Sequence, residues 1–74
     1  VPDHLWLVRP CRDGGCDYVR FLPRQETVEV HEGSHLPPQM PLLKHRHWLA
    51  AEEAEARRRD LQQEDGYQFS EPLF

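Results

Sequence analysis

The sequence has no apolar run longer than Leu5-Trp6-Leu7-Val8, so it holds no stretch of about 20 residues able to cross a bilayer as a helix. Serine is scarce: Ser34 and Ser70 are the only two, and neither lies in a Gly-x-Ser-x-Gly setting. There is no Gly-rich phosphate loop and no HExxH helix. Positive charge is also short. Nine Lys and Arg stand against thirteen Asp and Glu, for a net charge of −4, whereas a generic phosphate-coating protein carries the opposite balance. No charged-then-apolar leader is seen, so the expected location is cytoplasmic. At 74 residues the chain makes at most one small domain with a thin core. A deep catalytic pocket is hard to build at that size, and a non-enzyme is expected.

What is present divides unevenly. Residues 1–47 hold six basic and six acidic side chains and all five histidines, while residues 48–74 hold three basic and seven acidic. Pro37, Pro38 and Pro41 crowd one connector. The expected fold is α+β: a three-stranded antiparallel β-meander (1–33), a Pro-rich connector (34–46), one C-terminal helix (47–66) packed on the meander, and a tail or short final edge strand (67–74). Over residues 48–65 the helix is favoured by Ala, Leu, Glu, Gln and Arg without Gly, Pro or β-branched residues. Ala50, Ala54 and Leu61 mark its apolar stripe, and Gly66 is a natural stop. Leu73 and Phe74 are expected to tuck back on the core.

Asp13-Gly14 reads as a two-residue hairpin turn, because both turn positions need positive φ. That register sets Trp6 opposite Phe21, Val8 opposite Val19 and Cys11 opposite Cys16. A second two-residue turn at Arg24-Gln25 sets Phe21 opposite Val28 and Val19 opposite Val30. Trp6, Val8, Val19, Phe21, Val28 and Val30 then form one core face. A one-residue slip would throw half of that set to the other side. The reverse face carries Leu5, Leu7, Tyr18, Arg20 and Leu22, a second apolar patch that needs a cover. These five are the candidate partner-binding residues.

Two other constellations carry chemistry. Cys11, Cys16, His31 and His35 have a C-x4-C and H-x3-H spacing, near that of structural zinc sites. A zinc ion would supply folding energy to a thin domain; plain reduced thiols or a disulfide are the simpler uses of the two cysteines. Lys44, His45, Arg46, His47 and Trp48 form a basic-aromatic cluster that would grip a phosphate and stack on a base. A cysteine beside a histidine would also serve as a thiol nucleophile. The run Pro37-Pro38-Gln39-Met40-Pro41 is either a polyproline ligand or a stiff spacer.

The second half, Leu36-Pro37-Pro38, Arg46, Leu49, Glu52-Glu53-Ala54, Leu61, Gly66-Tyr67 and Pro72, resembles a family of small cyanobacterial proteins of unknown function. The resemblance implies a bacterial cytoplasmic protein and brings no catalytic residue with it. The expected function is a small non-catalytic interaction or regulatory module that binds a protein partner, or a second copy, through its sheet edge and second apolar patch. No cofactor is expected in that reading, and neither nucleic acid nor membrane is its partner. The alternative is a zinc-stabilised module that contacts nucleic acid through Lys44–Trp48.

Overall fold

A computed structural model describes residues 4–71. It contains β1 (Leu5–Pro10), β2 (Cys16–Pro23), β3 (Thr27–His35), β4 (Leu42–Ala50), the helix α1 (Ala51–Gln63) and β5 (Gln68–Ser70). All five strands join one antiparallel sheet in the order β4-β3-β2-β1-β5. The three-stranded meander is therefore corrected to a five-stranded sheet carrying one helix. Pro72, Leu73 and Phe74 lie outside the described residues.

The missing strand is β4. Its sequence, LLKHRHWLA, has no period-two alternation of apolar and polar residues, because nearly every side chain on it is exposed. An edge strand needs only the backbone ladder on one side, and charge on it suits an edge. The proline run is confined to the turn 36–41, where the Gln39 N–H donates to the Leu36 carbonyl at 2.9 Å. β3 thereby reaches His35, and α1 starts at Ala51 rather than at position 47.

The first hairpin shows how one turn decides a core. The Cys11 N–H donates to the Gly15 carbonyl at 2.9 Å, and the Gly14 N–H to the Cys11 carbonyl at 3.3 Å. Gly14 takes φ +90, and Asp13 Oδ1 accepts from the Gly15 N–H at 3.0 Å. The loop is Arg12-Asp13-Gly14, the three-residue hairpin form with glycine in the left-handed region. Relative to a two-residue turn, the register moves by one. Leu5 now pairs with Phe21 and Leu7 with Val19, while Trp6 pairs with Arg20 and Val8 with Tyr18. Leu5 and Leu7 have exchanged faces with Trp6 and Val8. The second hairpin turns at Gln25-Glu26, where the Arg24 N–H donates to the Thr27 carbonyl at 2.8 Å. Its pairs, Phe21 with Val30 and Pro23 with Val28, differ from the expected ones by two residues, which leaves every β3 side chain on its expected face.

The core consists of Leu7, Val19, Phe21, Val28 and Val30 from the sheet and Ala54 and Leu61 from α1, with Leu5, Leu49 and Tyr67 at its margin. Small Ala54 lets the helix axis lie close to the strands. Beyond Gln63 the chain reverses at Gly66 (φ +74), and the Tyr67 N–H donates to the Leu61 carbonyl at 3.0 Å, which satisfies one of the last carbonyls of the helix. This places β5 on the outer edge of β1, with Leu7 opposite Phe69. On the other side of the sheet Trp6, Tyr18 and Leu22 are also buried. The Trp6 and Tyr18 rings meet at 5.9 Å, and the Arg20 guanidinium lies 5.0 Å over the Trp6 ring.

Candidate interaction edge on β4

β4 hydrogen-bonds to β3 along one side, and no strand lies along its outer side among the described residues. It is long for an edge, and of its nine residues only Leu49 is half-buried. Leu42 and Trp48 are each 58% exposed and Leu43 is 41% exposed. Free ladder groups beside exposed apolar side chains make a template for another strand. The other edge, β5, is only three residues long.

Pairing with β3 divides the β4 side chains between two faces. His47 lies opposite Val30, and Leu49 opposite Val28, on the helix side; Arg46 lies opposite His31, and Trp48 opposite Glu29, on the open side. A bulge interrupts the ladder between Glu32 and Gly33: Glu32 pairs with His45 but Gly33 with Leu43, which leaves Lys44 as the extra residue. Gly33 permits this closeness. A Cβ there would lie 2.0 Å from the Leu42 carbonyl oxygen and 2.8 Å from Tyr18 Oη.

Each face carries one carboxylate that organises its cations. On the helix side Glu32 accepts from His47 Nε2 and, at 2.8 Å, from Arg57 Nη2, so one group ties β3 to both β4 and α1. Burial raises the Glu32 pKa, but the bonds from His47 and Arg57 outweigh it and hold the carboxyl below its ordinary range. The His45 and His47 rings stack with centroids 6.1 Å apart. On the open side Glu29 accepts from His31 Nε2, with Arg24 at 3.5 Å and Arg46 at 3.9 Å. The His31 bond is the chief reason that the Glu29 carboxyl also lies low. This pair of carboxylate-centred clusters was not anticipated from the sequence, although Glu29 and His31, two apart on a strand, necessarily share a face.

The sequence-derived candidates are redistributed. Of the five partner-binding residues, Leu5 and Leu7 belong to the helix-covered core, and Tyr18, Arg20 and Leu22 lie on the other face with Tyr18 and Leu22 buried. They do not form one surface patch. Lys44, His45, Arg46, His47 and Trp48 are all exposed on β4, but their alternation splits them between two faces, each with a glutamate beneath it. Cys11, Cys16, His31 and His35 do not converge. Cys16 faces His35 across the ladder, while His31 is opposite Arg20, about 13 Å further along β3. Alternation from Leu7 puts Cys11 on the helix side, and alternation from Tyr18 puts Cys16 on the open side. Among the described residues no three His, Cys, Asp or Glu side chains gather so as to hold a metal ion. Both thiols are free, and burial, then Asp17, pushes both above the ordinary thiol pKa.

No protein-family model, curated protein or solved structure matches the chain. Among the described residues no helix is long and apolar enough to cross a membrane. Among the described residues, the distinctive feature is thus the β4 edge: backbone donors and acceptors with no strand on their outer side, flanked by exposed apolar and basic side chains, at one end of a five-stranded sheet.

Proposed function

We propose that this domain is a non-catalytic interaction module that binds a protein partner by strand addition along β4. The observation that carries the proposal is the nine-residue outer edge on which Leu42, Leu43 and Trp48 are exposed. In strand addition the backbone ladder supplies affinity and alternate side chains supply selectivity. The apolar patch expected from the sequence has no part in this reading, because Leu7, Tyr18 and Leu22 are buried within the domain. The resemblance to small cyanobacterial proteins supplies the compartment, the bacterial cytoplasm.

A nucleic-acid role for Lys44–Trp48 is less well supported. Glu29 and Glu32 sit among the cations, the chain is acidic overall, and phosphate binding draws its strength from uncompensated positive charge. Thiol catalysis fares no better, since thiols with raised pKa values are poor nucleophiles at neutral pH.

The test is site-directed photo-crosslinking in cells that make the protein. A benzophenone side chain is installed at position 48, on the edge, or at position 53, an exposed helix position. A discrete heavier protein adduct from position 48 and not from 53 is expected. Equal labelling at both positions, or none at 48, would remove the β4 edge as the interaction site.

A further inference from the structure

We infer that the strand accepted by β4 is an acidic extended segment of another protein rather than a second copy of this chain. The inference rests on the reading of β4 as the interaction edge and goes on to name the chemistry of its partner. β4 carries Lys44, His45, Arg46 and His47 and contains no Asp or Glu. Whatever register two copies adopted, no opposite-charge pair would form between their β4 strands. Central registers would instead bring Lys44 and Arg46 of one copy beside the cations of the other, and like charges across a ladder destabilise it.

The carboxylates already present do not satisfy Lys44 and Arg46. Glu29 is bonded to His31 and reaches Arg46 only at 3.9 Å, and the Arg46 side chain stays 51% exposed. Glu32 is shared between His47 and Arg57. Lys44, set out of register by the bulge, forms no ion pair with any described residue. Both glutamates lie on β3, inboard of the edge, so the outward side of β4 keeps its positive sign. An incoming strand with alternate carboxylates would set them against Arg46 or against His45 and His47, according to the face they occupy. Its intervening residues would cover Trp48 or Leu49 on the other face. Cross-strand opposite-charge pairs of this kind add selectivity to a ladder that is itself indifferent to sequence.

The experiment uses the whole chain, isotopically labelled, and three end-capped nine-residue peptides. These alternate threonine with glutamate, with glutamine or with lysine. Amide shifts and amide exchange are followed during titration. The glutamate peptide is expected to slow exchange of the β4 amides that point away from β3 and to bind about tenfold tighter than the glutamine peptide, with the lysine peptide weakest. In a Lys44→Glu/Arg46→Glu variant the order should reverse. If circular dichroism shows that variant unfolded, Lys44→Gln/Arg46→Gln takes its place and should abolish the preference. Equal binding of the glutamate and glutamine peptides at β4 would overturn the charge inference while leaving the edge reading intact. Protection of β4 that appears only as the chain's own concentration rises would make a second copy the occupant, and also overturn it. No protection of β4 by any peptide or by self-association would bring down both.

Discussion

Leu7 of β1 lies directly opposite Val19 of β2, and both side chains are wholly buried under α1. That pairing exists because the first hairpin closes with three loop residues instead of two, and it makes Leu7 a core residue where Val8 is half-buried on the other face. Leu7→Ala is expected to cost about 2–5 kcal/mol through lost burial and the cavity left behind. Val8→Ala should cost about 1 kcal/mol or less. Urea unfolding of both variants measures the difference. A larger loss at Val8 would restore the two-residue turn and the opposite core.

Where the sequence could be read and where it could not follows from these same residues. Val19, Phe21, Val28 and Val30 share a face in either β2–β3 register, since a shift of two leaves side chains where they were. Ala54, Leu61 and Gly66 were legible because helix composition and glycine stops are local signals. The β1 face was not, because Asp13-Gly14 fits both a two-residue turn and the end of a three-residue loop. β4 was invisible for a different reason: burial patterning marks strands by what they hide, and this one hides almost nothing. With a two-residue turn, Leu5 and Leu7 fall on one face with Tyr18, Arg20 and Leu22; the observed register sets the two leucines in the helix-covered core and leaves the other three on the opposite face. The edge is defined only by β4 being a strand, and no local signal in its sequence marks it as one.

The bulge beside Gly33 offers a second test. An added methyl group there meets the Leu42 carbonyl at 2.0 Å, a backbone atom that cannot rotate away. Gly33→Ala is expected to separate the Leu42–Lys44 end of β4 from β3, with faster exchange of those amides. The global unfolding midpoint should fall by about 1–3 kcal/mol worth of stability, in the range of overpacking. Unchanged exchange at that end would mean that the close approach has been misplaced.

The cysteines should behave as slow thiols. Burial raises both pKa values and Asp17 adds to the rise, so the thiolate fraction at neutral pH falls below that of an unstructured cysteine. Alkylation of the folded chain at pH 7 should run several-fold slower than that of the same chain in denaturant, followed by mass spectrometry. A folded-state rate faster than the unfolded one would reopen thiol chemistry at Cys11 or Cys16.

Glu32 gives the domain a defined response to acid. Its carboxyl is held below the ordinary glutamate value because the bonds from His47 and Arg57 overcome the cost of burial. A carboxyl that is more acidic when folded stabilises the fold fully above its unfolded pKa of about 4.3. That contribution is lost as the pH falls through the lower folded value. Glu32→Gln keeps an acceptor but removes the charge shared by β4 and α1. The Arg57 side chain is 43% exposed, so solvent screening keeps the effect modest, about 1 kcal/mol at pH 7. Wild type should therefore be the more stable at pH 7, and the gap should close as both are acidified towards pH 2.5. Because Glu29 and Glu55 are also held low by His31 and Arg58, both proteins will lose stability over that range, and the decisive quantity is the difference between their denaturation midpoints. A difference that stayed constant from pH 7 to pH 2.5 would show that the Glu32 charge contributes nothing to holding the helix against the β4 edge.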